Sequence, residues 1–132
     1  MNTIGIQIRK IDINDNGKKY NPTTSNLHNQ VRTLHRKLKK NDEELKTIYV
    51  IEKDNPRKFH IHLLLYYKDE YNLYNQLSRF IGGNSWNKKK DSSNLITECI
   101  GKFGEIDLHH IYNEDEFICR YMNKYEQSKS LI

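Results

Sequence analysis

The sequence contains little cysteine and no long apolar run, and these two absences narrow the kinds of protein it can be. Cysteine occurs only at Cys99 and Cys119, without a CxxC pair. We therefore expect neither a structural zinc site nor a disulfide scaffold. No apolar stretch approaches the length of a membrane span, and the N-terminal residues lack the apolar region of a signal peptide. These features predict a protein of a reducing cytoplasm with no membrane partner.

The length of the chain predicts its number of domains, and its charge suggests a class of partner. The chain has 132 residues, of which 36% are hydrophobic and 30% are charged, and its formal net charge is +5. This length predicts a single domain over residues 1–132 with one modest core. The basic balance suits a polyanion partner such as nucleic acid, although many soluble proteins carry as much charge by chance.

Periodicity predicts the order strand, helix, strand, strand, helix, strand, strand, helix. The predicted strands cover residues 3–9, 45–52, 59–65, 95–100 and 106–112. The first predicted helix starts at Thr24 or Ser25. The second covers residues 70–81, and the third runs from Asn113 to Tyr125. Polar residues predict loops over 12–24 and 84–94. The pattern indicates an α+β fold, with a central antiparallel sheet of about five strands and helices packed on it.

The third predicted strand carries two histidines. His60 and His62 alternate with apolar residues, so both imidazoles project from one face of the strand. Two neighbouring imidazoles on a rigid element form half of a divalent metal site. The alternative is that both are half-buried and hydrogen-bond locally. Glu52 ends the preceding strand, and a hairpin register that puts it on the histidine face would complete a metal site. Asp54 is the nearest substitute ligand, and Glu52 could equally be a surface acid.

The last predicted helix carries a possible nucleophile. Tyr121, Lys124 and Tyr125 share one face at helical spacing. A tyrosine hydroxyl has a pKa of about 10 and is a weak nucleophile at neutral pH. A nearby cation such as that of Lys124 favours the phenolate. The alternative is that these tyrosines only pack at the rim of the core.

Together these residues resemble a known family. Phe59 to Leu65 is similar to the His-hydrophobic-His motif of HUH endonucleases, and Tyr121-x-x-Lys124 is similar to the nucleophile motif of their rolling-circle replication initiators. The resemblance implies a ferredoxin-like, RRM-like HUH domain with a single catalytic tyrosine, Tyr121. The enzyme would nick single-stranded DNA, retain a 5′-phosphotyrosine, and transfer the strand.

The resemblance also implies the remaining site residues. Glu52, His60 and His62 would bind Mn²⁺ or Mg²⁺, and Lys124 would assist the nucleophile. Tyr125 is a possible second nucleophile that ranks below Tyr121. The predicted contacts with DNA are Arg9, Lys88, Lys89 and Lys90.

The predicted partners follow from the same resemblance. They are single-stranded DNA of an origin region and host replication proteins, including a separate helicase, because the chain leaves no room for a helicase domain. A homodimer is a further expectation. We also expect a prokaryotic host cell and a gene carried by a virus or plasmid.

Other functions remain open at this point. A single-tyrosine transposase of an insertion sequence would use the same chemistry, but typically has glutamine four residues after the nucleophile, where this chain has Tyr125. A non-catalytic module could stack bases on Trp86, Tyr66 and Tyr67 and would need no metal. A hydrolytic metal-dependent nuclease would cleave DNA without a covalent adduct.

Overall fold

The structure is a computed structural model that describes residues 1–55, 58–91, 94–110, 115 and 129–131. This part of the chain forms two α-helices and nine β-strands. The helices are α1 (Thr24–Lys39) and α2 (Glu70–Ile81). The strands are β1 (Asn2–Lys10), β2 (Asp12–Ile13), β3 (Lys19–Tyr20), β4 (Lys46–Asn55), β5 (Lys58–Tyr67), β6 (Trp86–Asp91), β7 (Asn94–Gly101), β8 (Gly104–His109) and β9 (Lys129–Leu131). Of the third helix predicted from the sequence, only residue 115 is described.

Seven strands form one antiparallel sheet in the order β6-β7-β8-β1-β5-β4-β9. Two helices packed on an antiparallel sheet confirm the α+β class and are consistent with a ferredoxin-like fold. The prediction of about five strands was too low. Both predicted loops were partly wrong, because 84–94 contains β6 and 12–24 contains the β2–β3 hairpin. Strand β6 lies at the edge of the sheet, where lysines are common. It lacks the apolar alternation that marks a strand in a sequence.

The helices begin and end at recognisable caps. The hydroxyl of Thr23, rather than that of Thr24 or Ser25, accepts a hydrogen bond from the backbone N–H of Asn26 and starts α1. Helix α2 ends at Gly82, whose φ of 66° is left-handed. Within the described residues, no helix is long and apolar enough to cross a membrane.

Both helices lie on the same face of the sheet. His28 Nδ1 of α1 lies 2.8 Å from the Tyr49 hydroxyl of β4, and His35 Nδ1 lies 2.8 Å from Thr47 Oγ1. The apolar side chains of α1 and α2 pack there against alternate residues of β5, which are Ile61, Leu63 and Leu65. Because side chains alternate along a strand, His60 and His62 project from the opposite face, which we call the triad face.

Gly104 begins β8 where that strand meets the end of β1. Its φ is 135°, and an added Cβ would lie 2.1 Å from the Arg9 carbonyl oxygen. We expect Gly104→Ala to lower the free energy of unfolding by more than the roughly 1–3 kcal/mol of a strained backbone alone, because the two strands must also separate. Urea denaturation of Gly104→Ala and Gly17→Ala tests this. Gly17 also has a positive φ, of 76°, but nothing lies within 4 Å of its added Cβ. Equal losses would contradict the steric argument.

Candidate functional site

The register of the β4–β5 hairpin decides where Glu52 lies. The two strands pair with Glu52 directly opposite His60 and Val50 directly opposite His62. Residues directly opposite each other in an antiparallel pair share one face of the sheet. Glu52 therefore lies on the triad face, beside both histidines, which is the register that the sequence left open.

Three side chains converge there, and we call Glu52, His60 and His62 the triad. Glu52 Oε2 lies 2.6 Å from His62 Nε2 and also contacts His60 Nε2. The two Nε2 atoms are 2.9 Å apart, and the ring planes are inclined at 80°. His60 is 4% exposed and His62 is 3% exposed, whereas the Glu52 carboxylate is partly open to solvent. The two histidines are thus closed off from solvent, whereas the carboxylate is accessible.

The chemistry of these atoms fits a cation. Two imidazole nitrogens and one carboxylate oxygen lie within 4.8 Å of one another. Lone pairs this close repel unless a proton or a metal ion lies between them. Burial lowers the pKa of His62 below its ordinary value, His60 and His109 act in the same direction, and Glu52 opposes them. A neutral imidazole is the form that binds metal, so the triad could hold a metal ion.

Asp54 contacts the other side of the His60 ring. Its Oδ1 lies 2.6 Å from His60 Nδ1, while its Oδ2 accepts a hydrogen bond of 3.0 Å from Arg9. Burial raises the pKa of the Asp54 carboxyl, but His60 and Arg9 outweigh that effect, so the pKa lies below its ordinary value. Asp54 therefore contacts Nδ1 of His60, whereas Glu52 contacts the Nε2 atoms of both histidines. Of the two candidate third ligands, the geometry favours Glu52.

The predicted DNA contacts divide between the two faces of the sheet. Arg9 lies on the triad face but is paired with Asp54 and lies 3.8 Å from Glu105. Lys88 pairs directly opposite Thr97, so Lys88 and Lys90 lie on the helix-bearing face. Contact with DNA at these residues remains a prediction.

Lys89 shares the triad face with carboxylates that the sequence reasoning missed. Its Nζ lies 2.7 Å from Glu98 and 3.5 Å from Asp107, and both acids are on neighbouring strands. Glu105 and Asp107 are two residues apart in the sequence, and this period-two spacing was the available signal that they share a face. The triad face therefore carries ion pairs near the triad together with the buried apolar residues Val50 and Leu64.

The predicted nucleophile and its neighbours belong to the last predicted helix. Tyr121, Lys124 and Tyr125 lie outside the described residues. Their roles remain predictions that depend on the sequence motif alone.

The fold and the triad can now be set beside known proteins. Residues 11–126 match the family model of the replication-associated protein ORF2. The chain belongs to this replication-associated family. The match includes the triad and the stretch that contains Tyr121, and membership is consistent with a replication initiator. No curated protein and no solved structure gives a significant match to this replication-associated protein.

The assignment of Glu52 as third ligand can be tested in this replication-associated protein by comparing two isosteric substitutions. Asp54→Asn removes a carboxylate that supports a ligand, a change that typically weakens metal affinity by about 10–100-fold. Glu52→Gln removes the charge that faces both imidazoles, so we expect a larger loss of Mn²⁺ affinity. Isothermal titration calorimetry measures both. A larger loss in Asp54→Asn would make Asp54 the ligand instead.

Proposed function

We propose that this protein is a metal-dependent nickase and strand transferase of single-stranded DNA that initiates rolling-circle replication. The observation that carries the proposal is a Glu-His-His triad with two buried histidines in a member of a replication-associated family. Mn²⁺ or Mg²⁺ is the proposed ion. Mg²⁺ prefers oxygen ligands, so a set with two imidazoles favours Mn²⁺.

The proposed reaction is a phosphoryl transfer to the chain itself. The Tyr121 hydroxyl oxygen attacks the scissile phosphorus, the bond to the 3′-oxygen breaks, and the departing strand gains a 3′-OH that can prime synthesis. The 5′-phosphate stays on Tyr121 as a phosphotyrosine. Attack by another 3′-OH reverses these bonds and joins two strands.

Each residue of the proposed site has a separate task. Glu52, His60 and His62 hold the cation, which when bound polarises the phosphate and offsets charge developing on its oxygens. The Lys124 ammonium favours the phenolate of Tyr121. Tyr125 stands second to Tyr121, because the spacing of Tyr121 and Lys124 fits the single-tyrosine pattern.

The structure favours this proposal over a non-catalytic module that stacks bases. Trp86 donates from Nε1 to Ser78 Oγ and packs edge-on against Tyr74 with ring centroids 4.9 Å apart. Tyr67 is 7% exposed and belongs to the core. Two of the three aromatic side chains expected to stack on bases are thus engaged within the protein, whereas the triad has the form of a metal site.

The partners belong to the proposal as well. The substrate is single-stranded DNA of an origin region in a prokaryotic cytoplasm, and host replication proteins, among them a separate helicase, would unwind and extend the strand. The proposal also includes a homodimer.

A covalent-adduct assay tests the reaction class. Labelled single-stranded oligonucleotides tiled over the DNA element that encodes the protein are incubated with it and Mn²⁺, then separated on a denaturing gel. We expect DNA label to migrate with the protein, and EDTA to abolish that band. Cleavage without an adduct would indicate a hydrolytic nuclease, and binding without cleavage a non-catalytic module. A preference for transposon-end hairpins would indicate a transposase.

A further inference from the structure

A cavity of about 400 Å³ opens at the end of the sheet beside the triad. Its walls come from the end of β1, the β2–β3 hairpin, the β4–β5 hairpin and the β7–β8 turn, and they include Lys19, Lys58, Phe59 and Ile100. Asp54 both lines the cavity and contacts His60. A ligand in the cavity would therefore lie next to the metal-binding residues.

The cavity is lined by four cationic side chains and two carboxylates, Asp54 and Glu105, and two of the cations form no ion pair with a described carboxylate. Arg9 and Lys10 line it, but each is paired with an aspartate. Lys19 and Lys58 are exposed and form no ion pair within the part of the chain that the structure describes. Two such ammonium groups at a concave surface attract an anion such as a phosphate.

The same cavity has an apolar wall. Ile100 lines the cavity from the triad face and is 69% exposed, which is unusual for a large apolar side chain on a strand. An apolar surface next to cations matches a ligand with a flat hydrophobic part and a negative part. The volume lies within the roughly 300–1,000 Å³ of ligand pockets.

We propose that this cavity binds one nucleotide of the single-stranded DNA substrate, adjacent to the phosphate that is cleaved. Lys19 and Lys58 contact the phosphate, and Ile100 contacts the base. The proposal rests on the proposed function, since the strand that enters the cavity is the strand that crosses the triad.

The phosphate contacts are tested by the salt dependence of binding. Fluorescence anisotropy of labelled oligothymidylate is measured in EDTA at several salt concentrations. Each lost phosphate contact on a single strand makes the slope of log K against log salt shallower by about 0.7. We expect Lys19→Ala/Lys58→Ala to make the slope shallower by about twice that amount. The matched control is Lys37→Ala/Lys39→Ala, which removes the same charge from the last turn of α1, on the helix-bearing face. An unchanged slope in the first variant, or equal changes in both, overturns the proposal.

The base contact is tested by Ile100→Ala. We expect a several-fold loss of affinity for oligothymidylate with an unchanged salt slope, and no loss for an abasic strand of the same length. An equal loss on both strands overturns the base contact. Displacement of the strand by a comparable concentration of thymidine monophosphate would make the cavity a site for free nucleotides, which also overturns the proposal.

These measurements test the nucleotide cavity independently of the proposed nickase reaction. Binding in EDTA requires neither the metal ion nor the nucleophile. If the protein forms no adduct but shows the expected slopes, the proposed reaction is wrong and the proposed nucleotide cavity is supported. If the protein forms the adduct but the slope is unchanged in Lys19→Ala/Lys58→Ala, the proposed reaction is supported and the proposed nucleotide cavity is wrong.

Discussion

Replacing Tyr121 with phenylalanine is expected to abolish the covalent protein–DNA adduct, whereas Tyr125→Phe retains most of it. The substitution removes only the hydroxyl oxygen that would bond to phosphorus, so the remaining surface and the metal site are preserved. Loss of a nucleophile reduces turnover by several orders of magnitude, because the other groups of the site then have no covalent step to assist. The adduct is quantified on a denaturing gel with Mn²⁺, and Mn²⁺ affinity is measured separately to show that the triad is intact.

A matched control is available on α2. Tyr71 is 82% exposed, so Tyr71→Phe removes a tyrosine hydroxyl from a surface that the proposal does not use. We expect this variant to form the adduct as the unchanged protein does. An adduct that persists in Tyr121→Phe and disappears in Tyr125→Phe would reverse the ranking of the two tyrosines. Loss only in the double variant would mean that either can act.

The second large effect concerns the metal. Mn²⁺ that binds only the folded protein should raise the free energy of unfolding by about 2.7 kcal/mol at a concentration a hundredfold above its Kd. His60→Ala/His62→Ala removes two of the three ligands, so we expect this gain to vanish. Urea denaturation with Mn²⁺ and with EDTA measures the gain for each protein against its own metal-free baseline.

Because His60 and His62 are buried, their loss also lowers the metal-free stability, and two further variants isolate the metal effect. His28→Ala removes a histidine that contacts Tyr49 on the helix-bearing face. It should lower the baseline but keep the gain from Mn²⁺. Glu52→Gln preserves size and should reduce the gain. A full gain in the double histidine variant would exclude the triad as the metal site.

The sequence predicted those parts of the fold that depend on local periodicity. Alternation at His60 and His62 marks β5, and apolar spacing marks α2 with the bounds that the structure shows. The position of Glu52 depends on a hairpin register, and a shift of one residue would have moved its carboxylate to the core face. Sequence patterns do not determine such a shift, because the residues of β4 are apolar on both faces where it pairs with β5.

Other features depend on contacts between distant strands. The pairing of Arg9 with Asp54 joins residues 45 positions apart, so it could not be read from local spacing. Apart from Trp86, strand β6 is polar on both faces, which made Lys88 to Lys90 resemble a loop. The cavity walls come from four separate segments, and no short motif marks such an assembly.

The triad lies within a single hairpin, and this determines how a metal ion bound there would be coupled to folding. Glu52 and His62 are ten residues apart, and an antiparallel hairpin forms in about 1–10 μs. The ligands can therefore meet before β1, which arrives from the start of the chain, completes the sheet beside β5. A divalent ion would then have some affinity for chains that are only partly folded. Stabilisation measured at equilibrium would underestimate how tightly the native site holds its ion.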